Sequence, residues 1–206
     1  MYISMNVYFG SNTKASADAI DTEDEEEESE IYRENNRIYF YSEIDRTSVK
    51  TLMKLIREAE KYSFVTAFQL GLESLPIYIH ISSQGGYVYH ALSVVDAIKR
   101  CRVPVYSVVE GPVASAGTFI SMVCQKRFIC PHAFMMIHQL SGGVGGKMGE
   151  ISDEYTNLTE LMELIKQLYR EHTQLSKKAL SRLLKHDLYL NAKKALKYGL
   201  ADELYV

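Results

Sequence analysis

The sequence predicts an α/β fold with parallel strands and crossover helices, and three observations carry the prediction. Two units of one pattern follow each other over 77–99 and 103–124, each an apolar strand, a turn of small residues and a helix. Parallel neighbours cannot be joined by a tight hairpin, so alternating strands and helices at this spacing require helices that cross back over the sheet. Finally, 206 residues of which 47% are apolar suffice for one sizeable core.

The first strand is expected at Arg37-Ile38-Tyr39-Phe40-Tyr41. Thr47 can cap the helix after it, which buries Val49, Leu52, Met53, Ile56 and Ala59. Residues 62–74 are apolar enough to pack, but their pattern fits no single element type. A strand over Leu75–Ile81 ends in Ser82-Ser83-Gln84-Gly85-Gly86, and the helix from Tyr89 to Arg100 turns Ala91, Leu92, Val95 and Ile98 inward. Val103–Val109 reads as a buried strand, Gly111–Thr118 as a tight turn of small residues, and Phe119–Cys124 as a buried helix. Two short strands, 127–130 and 133–138, flank a Pro131-His132 turn. The loop from Gln139 to Gly149 is glycine-rich and mobile by composition. A long helix over Glu150–Leu175 carries an apolar stripe of Ile151, Leu158, Leu161, Ile165 and Leu168. It exceeds what a small core needs, so part of the stripe is expected to face another subunit. Ser176 and Asn191 cap two short helices, the second ending at Tyr198-Gly199.

Charge divides the chain. Residues 1–36 hold ten acids and two bases, a net of −8, whereas the remainder is mildly basic at +5. Such an acidic block, poor in core-forming residues, predicts a disordered N-terminal tail over 1–36 ahead of a domain over 37–206. No Lys/Arg stripe with interleaved aromatics points to nucleic acid, and no apolar run is long enough to span a bilayer. Cys101, Cys124 and Cys130 are odd in number and lack metal-ligand spacing. With no secretory signal, they predict reduced thiols in the cytoplasm or an equivalent compartment such as an organelle stroma.

Ser115 sits in the turn Gly111-Pro112-Val113-Ala114-Ser115-Ala116-Gly117-Thr118, where strand gives way to helix. Such a turn lifts a hydroxyl clear of the sheet while unpaired amides point into the same space, which is where an activated serine needs to be. Taken alone, Ser115 reads more readily as a helix N-cap, Gly85-Gly86 as an ordinary turn, His138 as a satisfied buried histidine and Asp187 as a cap. His80, His90, His132, His172 and His186 show no metal-ligand spacing, and no cofactor motif is present.

Taken together and in order, four stretches resemble one family. Ile81-Ser82-Ser83-Gln84-Gly85-Gly86, Gly111–Gly117, Met136-Ile137-His138-Gln139 and Asp187-Leu188-Tyr189-Leu190-Asn191-Ala192 resemble the motifs of ClpP, the proteolytic subunits of the Clp proteases. Tyr198-Gly199-Leu200-Ala201-Asp202 is similar to the family's ending, and the likeness covers about 37–206. It implies the ClpP/crotonase-like fold, a repeated β-β-α (βαβ) spiral with a protruding handle helix, here the one from Glu150. It further implies serine endopeptidase activity on unfolded polypeptides or short peptides, within a homo-oligomeric ring (a heptamer or double heptamer) that an AAA+ unfoldase could serve. Ser115 falls on the nucleophile, His138 on the general base and Asp187 on its orienting acid. The backbone amides of Gly86 (or Gly85) and Ala116 fall on the oxyanion hole. Two other readings are an inactive ClpP-like subunit of a mixed ring and a crotonase-type acyl-CoA enzyme. The chain has Ser-Ser-Gln before the glycines where the family usually has Asn-Ser-Pro. Lys185-His186 stands where an Asp-Arg pair often links rings, and residues 62–74 are extra.

Overall fold

Regular structure starts earlier than the sequence predicts. A computed structural model describes residues 30–206, and β1 (Ile31–Glu34) already pairs antiparallel with β2 (Arg37–Phe40). Asn35, at φ 55°, and Asn36 make the turn; asparagine tolerates this left-handed backbone better than most residues. Ile31 packs on the core and the Tyr32 ring stacks on Tyr39 at 4.6 Å. The expected tail over 1–36 is therefore corrected at 31–36, which are strand and turn; residues 1–29 lie outside the described residues.

β2, β3 (Ile77–Ser83), β4 (Val105–Ala114), β5 (Lys126–Ile129) and β8 (Glu203–Leu204) run parallel in that order, with β1 as the antiparallel edge. β3 pairs with β4 from Val105 to Val113, while two strands share the other edge of β4. Tyr106–Val109 pair with β5, and beyond Gly111 the residues Pro112–Ala114 pair with β6 (Phe134–Met136) instead. β7 (Leu190–Asn191) then adds antiparallel to β6.

Helices α1 (Arg46–Leu70), α2 (Val88–Lys99) and α3 (Gly117–Met122) share one core with the strands. Leu52 and Ile56, Val94 and Ile98, and Phe119 and Ile120 meet Ile38, Phe40, Ile79 and Ile81, all buried. Burying an aliphatic side chain of this size contributes about 1.5–3 kcal/mol. The N-cap of α1 is Asp45 rather than Thr47. Its side chain accepts from the Ser48 N–H at 2.7 Å, and Ser48 Oγ accepts from the Asp45 N–H at 2.9 Å, closing a reciprocal box. The ambiguous stretch after residue 62 continues this helix: Ser63 and Ala67 extend its buried stripe until Gly71, at φ 64°, ends it.

α4 (Met148–His172) is the predicted long helix, and its stripe splits. Leu161, Ile165 and Leu168 are buried, Ile151 and Leu158 only half-buried, and Tyr155 between them is exposed. α5 (Lys177–Leu183) and α6 (Ala192–Lys197) start on the predicted caps, with Ser176 accepting from the Ala179 N–H at 3.2 Å and Asn191 from the Lys194 N–H at 3.1 Å. No helix among the described residues is long and apolar enough to cross a membrane.

Another part of the sheet carries a polar cluster. His80 is buried, with Nδ1 2.6 Å from Glu110 Oε1 and Nε2 3.0 Å from Arg37 Nη1. A guanidinium can only donate, so Nε2 accepts and Nδ1–H goes to Glu110. Arg37 also donates to the Tyr205 hydroxyl at 3.0 Å, tying β2 and β3 to the C-terminal residues.

Arg127 on β5 fastens the end of α4 to the sheet. It pairs with Asp202 through Nε (2.9 Å) and Nη2, and donates to the carbonyls of His172 and Gly199. Burial pushes the Asp202 carboxyl up, but hydrogen bonds and charge from Arg127 outweigh it and hold its pKa below the usual carboxylate value. A carboxyl depressed in the folded state stabilises above its unfolded pKa of about 3.9, and that stabilisation disappears as pH falls through the folded value. Asp202→Asn is expected to cost about 1–2 kcal/mol at pH 7, discounted because the carboxylate is a third exposed. The gap to the wild type should close as pH drops from about 5 toward 3. Urea denaturation at both ends of that range measures it; a gap independent of pH would refute the assignment.

Candidate active site

Strand register brings the candidate residues together. Ala114 pairs with Met136 across β4 and β6, so Ser115, the next residue, gives its N–H to the Met136 carbonyl at 2.8 Å. His138 follows two residues later. On the far side of β6, Met135 pairs antiparallel with Leu190, and continuing that register by three residues sets Asp187 opposite His138. On the near side of β4, Ser83 pairs with Val113, which brings Gly85 level with Ser115. Four segments separate in sequence thus converge on the end of one strand.

Side chains complete the constellation. His138 Nε2 lies 2.8 Å from Ser115 Oγ, and Nδ1 lies 3.3 Å from Asp187 Oδ1. With Nδ1–H facing the carboxylate, Nε2 presents its lone pair to the serine hydroxyl, the arrangement that lets imidazole act as a base. The His138 side chain is 10% exposed and that of Asp187 63%, so the carboxylate keeps much of its hydration in the single chain. Ser115 has φ 53°, a left-handed backbone that costs a non-glycine residue about 1–2 kcal/mol. Such strain at a strand-to-helix turn is what holds a hydroxyl out of the sheet.

The glycine pair has no room for side chains. At Gly85 (φ 98°) a Cβ would stand 2.7 Å from the Ala114 carbonyl oxygen and 2.8 Å from Ser115 Cβ; at Gly86 (φ 144°) it would collide with the Ile44 carbonyl. Ile44 straps this loop: its N–H donates to the Gly85 carbonyl at 2.7 Å and its carbonyl accepts from the Tyr87 N–H at 2.8 Å. The Gly85 N–H donates to Ser83 Oγ at 3.2 Å. Among the described residues the N–H groups of Gly86 and Ala116 meet no protein acceptor, so of the two glycines Gly86 has the amide to spare. A cavity of about 190 Å³ opens beside Ser115, with Phe119, Leu140, Ile165 and Tyr169 on its walls and Gln84–Gly86 and His138 at its edge.

Of the six residues singled out in the sequence, Ser115, His138, Gly85 and Gly86 line this cavity, Ala116 adjoins Ser115 in the chain, and Asp187 meets the site through His138. Sequence reasoning missed their supports. The Tyr189 hydroxyl donates to Gln84 Oε1 at 2.8 Å, joining the loop of the carboxylate to that of the glycines. This hydrogen bond restrains the loop at Gln84. Thr118 and Tyr169 were also overlooked; Thr118 lies three residues after Ser115, within reach of its carbonyl, the one sequence signal available. Among the described residues no group of three or more His, Cys, Asp or Glu converges as a metal site.

Comparison with known proteins shows the family and the fold. The family model for Clp protease matches residues 29–206. The ATP-dependent Clp protease proteolytic subunit 2 of Treponema denticola is 34% identical over 131 residues, covering 63% of this chain and 66% of that protein. The corresponding subunit of Deinococcus radiodurans is 30% identical over 130 residues, 62% of this chain and 64% of that one. The chain thus spans just under two thirds of the length of these curated relatives. A solved structure of a ClpP1 variant from Listeria monocytogenes superimposes with a TM-score of 0.71 at 30% identity, over 83% of this chain and 91% of the other. The fold is that of ClpP, as its motifs imply, and the chain belongs to the Clp protease family.

Proposed function

We propose that this chain is a serine endopeptidase subunit that hydrolyses unfolded polypeptides or short peptides through Ser115, His138 and Asp187. The observation that carries the reading is the 2.8 Å contact from Ser115 Oγ to His138 Nε2, made on a strained turn with a carboxylate at the other imidazole nitrogen. A serine hydroxyl is a poor nucleophile until a base takes its proton as it attacks. His138 takes that proton while Oγ bonds to the scissile carbonyl carbon. The oxygen that gains charge accepts hydrogen bonds from the Gly86 and Ala116 amides. His138 then gives its proton to the departing amine, and water repeats the sequence in reverse to release the acyl group. Asp187 orients the imidazole and stabilises its charged form.

The peptidase unit proposed from the sequence, 37–206, gains β1, and residues 1–29 form the separate acidic segment. The subunit works in a homo-oligomeric ring, a heptamer or double heptamer, in which neighbouring subunits cover the exposed half of the α4 stripe; polypeptides reach it from an AAA+ unfoldase. A reducing compartment, cytoplasm or stroma, suits its thiols: burial pushes Cys124 up to about 12, and Cys101 and Cys130 are likewise unpaired.

A fluorophosphonate probe tests the reading. Peptide mapping should find one adduct, on Ser115, and fluorogenic peptide hydrolysis should fall in proportion to labelling. Absence of an adduct on Ser115 in protein with the native secondary structure overturns the assignment.

A further inference from the structure

The nucleophile turn is held from behind by a buried pair of hydroxyls. Thr118 Oγ1 donates to the Ser115 carbonyl at 2.7 Å, and the Tyr169 hydroxyl lies 2.7 Å from the same Oγ1. Both residues are buried, at 0% and 1% exposure. The direction of the chain follows from chemistry. A carbonyl has no hydrogen to give, so the Thr118 hydrogen is spent on Ser115, and Tyr169 must be the donor to Thr118. The Thr118 N–H reaches the same carbonyl at 3.1 Å. The carbonyl of the one non-glycine residue at the site with a positive φ is therefore gripped by two donors, one polarised by a third group.

Tyr169 belongs to α4, fifty-one residues along the chain from Thr118, and its ring packs edge-on against Phe119 at 5.7 Å. Burial pushes its hydroxyl pKa up, so it stays protonated and a donor across the working pH range. Tyr169 also lines the cavity beside Ser115, and its oxygen is hydrogen-bonded to Thr118. Ring and hydroxyl thus have separable tasks: the ring shapes the pocket, and the hydroxyl acts on the nucleophile turn.

We propose that Tyr169 and Thr118 are positioning residues that hold Ser115 Oγ in line with His138 through the relay Tyr169 O–H to Thr118 Oγ1–H to the Ser115 carbonyl. The inference rests on the serine peptidase reading and deepens it. Neither residue touches substrate through its hydroxyl; both act through the backbone of Ser115. The alternative is that the hydroxyls merely satisfy each other's need for a partner in the core, and this would leave catalysis unchanged once the protein has folded.

The full-length protein is tested as Thr118→Val, Thr118→Ser, Tyr169→Phe and the double variant Thr118→Val with Tyr169→Phe, with Ser115→Ala as the control. The readouts are the second-order rate of fluorophosphonate labelling, the kcat and KM of a fluorogenic peptide, and the melting temperature. Thr118→Val and Tyr169→Phe should each label about 10-fold more slowly, a change of about 1.4 kcal/mol in the barrier. Tyr169→Phe should lose kcat with KM nearly unchanged, because the ring remains. Thr118→Ser, which restores the hydroxyl, should recover the rate to within about 3-fold. The double variant should be no slower than the slower single one, since a relay is broken once. Tyr169→Phe removes one oxygen and keeps the packing, so it remains informative if Thr118→Val fails to fold. Labelling within about two-fold of wild type for Tyr169→Phe, or a Thr118→Ser protein no faster than Thr118→Val, overturns the relay while the Ser115 adduct leaves the peptidase reading intact. A wild-type protein that takes no adduct at Ser115 overturns both.

Discussion

Ser115→Ala is expected to abolish peptide hydrolysis, with a loss on the order of 10⁶-fold in kcat, the scale seen when a triad nucleophile is removed. The fold should survive, because among the described residues the lost oxygen has one partner, His138 Nε2, and the backbone N–H of residue 115 keeps its bond to Met136. Asp187→Asn should cost less, about 10²- to 10⁴-fold. An asparagine amide opposite Nδ1 favours the tautomer that places a hydrogen on Nε2, where it cannot accept the serine proton. The upper figure applies to a buried acid in firm contact, whereas Asp187 is largely exposed and 3.3 Å away, which argues for the lower part of the range. Fluorogenic peptide assays at enzyme concentrations high enough to see the residue of activity distinguish the two variants. Hydrolysis retained by purified Ser115→Ala, or Asp187→Asn indistinguishable from wild type, would contradict the roles given to them.

What the sequence made legible follows from how locally each feature is written. Ser115 announces itself because strand, small-residue turn and helix are contiguous, and the caps Ser176 and Asn191 are single-residue signals that the structure repeats. His138 and Asp187 are different. Each is unremarkable in its own segment and becomes part of a site only through the β4–β6 and β6–β7 registers, which no local pattern encodes. The motif order, rather than the residues singly, carried them. Ser-Ser-Gln-Gly-Gly shows no restraint in its own sequence, because the restraint comes from Tyr189, 105 residues away. β1 escapes the sequence reading because the acids around it dominate the composition and Ile31-Tyr32-Arg33-Glu34 has no apolar alternation: Arg33, not Tyr32, shares the half-buried face of Ile31. Residues 62–70 were ambiguous because the buried positions of that helical stretch are small, Ser63 and Ala67, while Phe64 and Phe68 face out. An apolar period cannot be seen where the large apolar residues are on the wrong face.

Gly85→Ala should disable the site more than it destabilises the protein. The added methyl would stand 2.8 Å from Ser115 Cβ, 2.7 Å from the Ala114 carbonyl oxygen and 3.1 Å from the Ala116 nitrogen, so it presses on the proposed nucleophile and on one of the proposed oxyanion amides together. None of these atoms is the free end of a flexible side chain. The clash can be relieved only by moving the end of β4 or the glycine loop, and either motion takes the donors off their target. Loss of one oxyanion donor costs about 10²–10³-fold, and misplacement of Ser115 adds to it, so a decrease of at least about 10³-fold in kcat/KM is expected. Backbone strain at φ 98° should lower stability by about 1–3 kcal/mol. Gly71→Ala is the matched control. It imposes similar strain, at φ 64°, but its methyl would meet no atom within 4 Å, at the far end of α1 from Asp45 and the site. It should lose about 1 kcal/mol of stability and no activity. Comparing kcat/KM with urea midpoints for the two variants separates crowding at the site from general strain. Equal effects of the two on activity, or a Gly85→Ala enzyme within a few-fold of wild type, would show that the close approach of Gly85 to Ser115 has no catalytic role.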